Sequence, residues 1–252
     1  MSEKKLVIYH LYPELLNLYG DKGNIAVLQM RCKKRGIDTE LRELKAGQTP
    51  DFSGVDIVLL GGGSDREQLI VSRYRGMVAK PLCEYAQNGG VILAVCAGYQ
   101  LLGNFYEADG QRIPCFGVLD IDTVSGKDRL IGNIAVRAQL GEKEIVLAGF
   151  ENHGGRTDIK KHIPLGRVIF GFGSDGSGEY EGVVYKNTVA TYLHGPILPK
   201  NPELADFLIE TAMKRKYSAE FCGLEPLDDT MEMCAKKFII ERESGEKNRK
   251  YG

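Results

Sequence analysis

Three short runs of this chain are apolar at almost every residue: Leu6-Val7-Ile8-Tyr9, Val55 to Leu60, and Val91-Ile92-Leu93-Ala94-Val95. A strand with one wet face alternates apolar and polar residues. A run without that alternation belongs to a strand covered on both faces. Helical patterns lie between these runs. Gly23 to Arg35 carries Ile25, Leu28 and Cys32 at helical spacing, with Gly36 as its stop. Ile37 to Leu44 alternates as a strand. Helical spacing returns after Gly61-Gly62-Gly63 and runs through about Asn88, interrupted near Pro81. Strand–helix–strand order repeated in this way predicts an α/β fold, with a doubly wound, mostly parallel sheet flanked by helices.

The texture changes after about residue 110. Ile113 to Asp122, Ile131 to Ala138, Glu144 to Phe150, Val168 to Phe172 and Glu181 to Leu193 read as strands between glycines and polar turns, which predicts antiparallel strands in the second half. Pro202 opens a helix with Leu204, Leu208, Ile209 and Ala212 on one face. A last helix, about Asp228 to Glu243, sets Met231, Ala235, Phe238 and Ile239 on one stripe, expected to pack on its own domain. The final ten residues, ESGEKNRKYG, are polar and expected to fray. With no repeat or linker, the reading is one domain over 1–217, with 218–252 as a helical extension packed on it.

Composition excludes several classes. The chain of 252 residues has a formal net charge of −1, which favours neither nucleic acid nor an anionic membrane as partner. No stretch approaches the roughly 20 apolar residues that span a bilayer. The opening MSEKKLVIYH lacks the apolar region and cleavage site of a signal peptide, so the expected location is cytoplasmic. The six cysteines are scattered and form no CxxC pair, which supports neither a zinc site nor a thioredoxin-type motif. No metal is expected, and most of the thiols should be buried and inert.

Cys96 stands apart. The run Val91–Val95 leads straight into Cys96-Ala97-Gly98-Tyr99-Gln100, an apolar strand, a cysteine, small residues and the start of a helix. That is the outline of a nucleophile elbow, which lifts a side chain above the carboxyl end of a sheet. The helix N-terminus beside the sulfur is expected to favour the thiolate. A cysteine nucleophile needs a base. Of four histidines, His10 and His162 read as structural or exposed. His194 ends the strand-like Val189-Ala190-Thr191-Tyr192-Leu193 and can meet Cys96 if both strands share a sheet. His153, with Asn152 in the donor-rich turn Glu151 to Arg156, could equally hold substrate. Gly61-Gly62-Gly63-Ser64-Asp65 can bring backbone N–H groups to a developing oxyanion, with Asp65 read as a helix cap. The run lacks the pattern of a phosphate loop.

Together these residues resemble the class I (triad-type) glutamine amidotransferases. Cys96-Ala97-Gly98-Tyr99-Gln100 is similar to that family's Cys-x-Gly-x-Gln. The segments Leu16 to Asn24, Gly61 to Gln68, Phe150 to Thr157 and Tyr192 to Pro199 narrow the resemblance to the GatD-type glutaminase subunits of lipid II isoglutaminyl synthases, in a branch shared with cobyric acid synthases. The resemblance implies that Cys96 attacks the side-chain carboxamide of glutamine and that His194 relays the proton. It implies oxyanion N–H groups on Gly63 and Ala97, substrate contacts from Gln100, and a clamp from Arg129 on the substrate α-carboxylate. It further implies that ammonia passes to a Mur-ligase-like synthetase subunit (MurT), which holds ATP and Mg, handles lipid II and amidates its D-glutamate. No cofactor is implied in this subunit, and the pair would work at the inner face of the membrane.

One departure stands out. Many triad-type relatives carry a glutamate two residues after the histidine, and here that position is Pro196. Asp21, Glu151 or an acid from the partner could orient His194 instead. Two other readings stay open. One is a glutaminase serving a different acceptor, such as a cobalamin precursor. The other is a redox-sensing or binding protein on the same fold.

Overall fold

The apolar runs become the inner strands of one sheet. In the computed structural model, which describes residues 4–108 and 110–250, the chain begins with β1 (Lys5–Leu11), α1 (Lys22–Lys33), β2 (Asp38–Leu44), β3 (Ile57–Leu60), α2 (Asp65–Ser72), α3 (Arg75–Gln87), β4 (Val91–Val95) and α4 (Ala97–Leu101). It continues through β5 (Phe105–Ala108), β6 (Gln111–Pro114), β7 (Asp122–Leu140), β8 (Lys143–Asp158), β9 (Gly166–Phe170), β10 (Tyr180–Glu181), β11 (Val183–Tyr185) and β12 (Thr188–Thr191). Two long helices, α5 (Pro202–Tyr217) and α6 (Thr230–Lys250), complete the order.

The first sheet has the order β11-β12-β4-β3-β1-β2. All neighbours are parallel except the β11–β12 hairpin at one edge. β3, β4 and β12 are buried at every residue, as is β1 after Lys5, while β2 at the other edge is largely open. Asp56, the polar residue inside the second run, sits just before β3. It accepts from the Val7 N–H at 2.6 Å and from Lys216 of α5 at 2.7 Å, so its buried charge is paired.

The second sheet has the order β10-β9-β7-β5-β6, with β8 paired along β7. β7 and β8 form a long antiparallel ribbon, and its register breaks between Ser125 and Leu130. This α/β arrangement, one mostly parallel sheet with helices and a second mostly antiparallel sheet, agrees with the expected class.

Several boundaries differ from the sequence reading. Pro81 lies inside α3, and the helical stretch breaks earlier, between Ser72 and Arg75. Ile113 to Asp122 is not one strand. The segment between β6 and β7 turns back onto α4, where Phe116 and Leu119 donate to the carbonyls of Leu101 and Leu102. Glu181 to Leu193 divides into the end of β10 and a hairpin that turns at Lys186, where φ is +52°. Glu151 to Arg156, read as a turn, lies within β8. Of the six thiols, Cys32, Cys96 and Cys115 are buried, whereas Cys222 and Cys234 are exposed.

α6 also differs. Its apolar stripe faces outward, with Met231 84% and Phe238 66% exposed. The helix is held instead by Lys236, which donates to Glu203 and to the Val146 carbonyl, and by a bond from Asn133 to Glu243. The polar end expected to fray continues the helix to Lys250; residues 251–252 lie outside those described. No helix among the described residues is long and apolar enough to cross a membrane.

Candidate active site

Cys96 comes directly after β4 with φ +53° and ψ −105°, a conformation that a non-glycine residue adopts only under constraint. Its N–H bonds the Thr191 carbonyl of β12 at 2.8 Å, and its carbonyl accepts from Gln100 at 3.0 Å. The turn is tight: a Cβ on Gly98 would lie 2.6 Å from the Leu60 carbonyl oxygen of β3, so only glycine lets α4 pack there. Burial pushes the Cys96 thiol up to about 12, and Asp21 adds to this. The Ala97 N–H on the sulfur and Arg129 pull the other way without prevailing. The expected resting thiolate is therefore corrected. α4 spans only five residues, and its terminus does not offset the loss of solvent.

β12 lies beside β4 with Thr191 opposite Val95, so His194 emerges near the same sheet end as Cys96. His194 bridges the two sheets: its N–H donates to the Phe150 carbonyl of β8 at 2.7 Å. Its ring is fully buried against Tyr19, with centroids 4.3 Å apart. Burial, then His153 and Arg129, lower its basicity to about 3. Neither ring nitrogen has a hydrogen-bond partner among the described residues.

Within this chain, neither Asp21 nor Glu151 bonds the ring, and Pro196 stands where many relatives carry the acid. Pro196 packs its own ring on Gly23. Glu151 accepts from the Phe172 and Gly173 N–H groups and approaches His153 at 3.7 Å, so it serves that side. Asp21 accepts from the Gly62 N–H at 2.8 Å. Asp21 and the His194 ring lie 3.4 and 3.2 Å from the point where a Gly62 Cβ would sit, with no hydrogen bond between them. Burial pushes the Asp21 carboxyl up to about 6.

The β7–β8 ribbon supplies the other groups. Its pairing jumps from Ser125–Gly155 to Leu130–His153, so residues 126–129 bulge from the ladder and carry Arg129 out of the pleat. Arg129 donates to the Asn152 side chain at 3.0 Å and to its carbonyl at 2.9 Å. His153 stacks on Tyr192 with centroids 3.7 Å apart and planes 3° apart, and its Nδ1 donates to the Gly155 carbonyl at 2.8 Å. The Tyr192 hydroxyl receives Gln100 at 3.0 Å and meets Thr157 at 2.7 Å. Gly155 is required here, since a Cβ would strike the Gln100 amide and lie 2.8 Å from the Tyr192 hydroxyl.

Cys96, Gly63, Gln100, Arg129, Asn152 and His153 line one cavity of about 140 Å³. Ala97 sits one residue behind the sulfur, and His194 lies outside the lining, against the Tyr19 ring that is part of it. A larger groove of about 520 Å³ between the β7–β8 hairpin and α5, closed by Asp229, is lined by no cysteine or histidine, so size does not mark the chemistry. The sequence assigns no part in the site to several of the wall residues, among them Tyr19, Asp65, Gln68 and Tyr106. The signal for Asp65 was present. Ser64-x-x-Glu67 is a capping box, so Ser64 caps α2 and Asp65 does not.

Comparison with known proteins shows the family. Residues 7–202 match the CobB/CobQ-like glutamine amidotransferase domain. The chain is 41% identical over 96% of its length, and 98% of the relative's, to the lipid II isoglutaminyl synthase (glutamine-hydrolyzing) subunit GatD of Staphylococcus aureus. It is 40% identical to the Streptococcus pneumoniae subunit of the same name, over 86% of this chain and 84% of that one. A probable cobyric acid synthase of Methanocaldococcus jannaschii is 28% identical, over 76% of this chain and 40% of the relative. A solved glutamine amidotransferase covers 81% of this chain, and 98% of its own, at TM-score 0.53 and 14% identity, a likeness of fold. The chain belongs to the CobB/CobQ-like glutamine amidotransferase family, on its GatD branch.

Proposed function

We propose that this chain is the glutaminase subunit of a lipid II isoglutaminyl synthase. It would hydrolyse glutamine to glutamate and deliver the ammonia to a Mur-ligase-like partner of the MurT type. The observation that carries the reading is a strained, buried cysteine at a strand end, in a cavity with a guanidinium, on a chain that matches GatD over 96% of its length.

Cys96 and His194 are both neutral at rest, so the proton moves during attack. As the sulfur bonds the carboxamide carbon, His194 takes the thiol proton, and N–H groups of Gly63 and Ala97 receive the oxyanion. His194 then gives the proton to the departing nitrogen, releasing ammonia and leaving a glutamyl thioester. Water, deprotonated by His194, cleaves that thioester to glutamate and the free thiol. Because its basicity is low, His194 stays unprotonated across physiological pH. Arg129, steadied by Asn152, holds the α-carboxylate with a planar fork suited to it.

Amidating a carboxylate needs activation, and this chain has no phosphate loop. ATP and Mg belong to the partner, which converts D-glutamate of lipid II to D-isoglutamine. The complex works in the cytoplasm, meeting lipid II at the inner membrane face. The carboxylate that steadies His194 comes from the partner in this reading, because Glu151 is engaged elsewhere and Asp21 makes no bond to the ring. Equal turnover by isolated subunit and complex would remove that last element.

The whole reading is tested by reconstituting the two subunits with ATP, lipid II and either glutamine or ammonium. Cys96→Ala should abolish amidation driven by glutamine and spare amidation driven by ammonium. Loss of both, or of neither, refutes it.

A further inference from the structure

A guanidinium such as Arg129 suits only the carboxylate end of an amino-acid zwitterion. Free glutamine also carries an α-ammonium group, and a cavity that seats it needs acceptors for that charge.

Among the described residues lining the cavity, Asp65 is the one carboxylate and Arg129 the one guanidinium. Asp65 is the first residue of α2, yet it is not used by the cap. Ser64 accepts from the Glu67 N–H, and Glu67 returns its carboxylate to the Ser64 N–H at 2.6 Å. The capping box therefore occupies Glu67 and leaves Asp65 to the cavity. The hydroxyl of Tyr106, a residue only 3% exposed, donates to Asp65 at 3.1 Å and fixes its direction.

Gln68 is one helical turn further on, on the same face as Asp65. It is 2% exposed and lines the same cavity, and its Oε1 accepts from no group among the described residues. A buried acceptor without a donor is costly, and a ligand N–H would remove that cost. The partial positive charge at the start of α2 disfavours a cation there, and the carboxylates of Asp65 and Glu67 in its first turn counter it.

Resting on the glutaminase reading, we infer that Asp65 and Gln68 form the α-ammonium subsite of the glutamine site, with Tyr106 as the positioning residue that aims Asp65. The ammonium donates one proton to the Asp65 carboxylate and another to Gln68 Oε1. With Arg129 on the carboxylate, the amino acid is held at both charged groups and its carboxamide is turned toward Cys96. The same subsite selects free glutamine over peptide-bound or N-acylated glutamine, whose nitrogen is neutral and has fewer protons to give.

The test compares hydrolysis of L-glutamine with that of 4-carbamoylbutanoate, which lacks the α-amino group, by the subunit in complex with its synthetase. The native protein should prefer L-glutamine by about tenfold or more in kcat/KM. Asp65→Asn should remove about tenfold of that preference through KM. Gln68→Leu should remove a smaller part, about threefold, while unfolding at the same or a higher temperature, since it deletes an unpartnered acceptor. That stability readout separates a ligand role from a structural one and stands even if Asp65→Asn misfolds. Parallel losses on both substrates, or an unchanged KM for L-glutamine, overturn the subsite. A native protein that hydrolyses both substrates equally well overturns the subsite alone. One that hydrolyses neither strikes the glutaminase reading itself.

Discussion

The two sheets serve one cavity by different means. The parallel sheet brings Cys96 and His194 from the ends of neighbouring strands that are buried at every residue. Their places are set by backbone bonds, Cys96 to Thr191 and His194 to Phe150. The β7–β8 ribbon brings Arg129, Asn152 and His153, and there side chains do the positioning, Arg129 against Asn152 and His153 against Tyr192. The two groups proposed to react thus rest on parts that cannot shift without disturbing the core. The proposed substrate clamp, Arg129, rests on a bulge, which can be re-aimed at little cost to the fold.

Kinetics can break that comparison directly. His194→Ala removes the proposed base and should lower kcat by about a hundredfold or more with little change in KM. Arg129→Ala should raise KM for glutamine by about ten- to a hundredfold and leave kcat within a few-fold, and Arg129→Lys should recover little of it. Steady-state glutamate release measures both. If His194→Ala moved KM alone, or Arg129→Ala moved kcat alone, the division between the sheets would fail.

The same contrast governs what could be read before the fold was known. A strand covered on both faces is uniformly apolar, so β1, β3 and β4 announce themselves, and Cys96 is legible as the point where β4 gives way to small residues. β12, Thr188–Thr191, is only half apolar and is hidden in a longer strand-like run from Glu181 to Leu193, so His194 is legible as the residue that ends that run rather than from the strand's own bounds. The ribbon has no such signature. Gly154-Gly155 looks like a turn, but Gly155 is there because Gln100 and the Tyr192 hydroxyl press on its Cα inside a strand. Arg129 stands on a bulge, which has no periodicity, and only family resemblance pointed to it. The stripe on α6 misled because helical spacing marks a face without saying which way it points, and Lys236 decided the matter.

Gly155→Ala sharpens the ribbon side. The added methyl must displace the Gln100 amide or the Tyr192 hydroxyl, which are tied to Thr157 and Thr123 in a buried chain of hydrogen bonds. Overpacking of this kind should cost about 1–3 kcal/mol in denaturant unfolding. KM should rise as well, because Gln100 lines the cavity. A variant of native stability and native KM would show that the chain of bonds does not hold the wall.

Asp21 probes the sheet side, where keeping the chemistry buried has a cost. Burial pushes its carboxyl up to about 6 from the ordinary 3.8. Between those pH values the folded chain keeps a proton that the unfolded chain has released. Native stability therefore falls as pH rises across that window and stays lower above it. Asparagine carries no such charge and can keep the bond to the Gly62 N–H, though its amide gains an unpartnered donor. Asp21→Asn should thus match the native protein near pH 4 and exceed it by about 1–2 kcal/mol at pH 7, a rise of a few degrees in Tm. Thermal unfolding at the two pH values measures this. A variant less stable than native at pH 7 would mean that the carboxylate is compensated in place, and that burial at the sheet end is not what raises it.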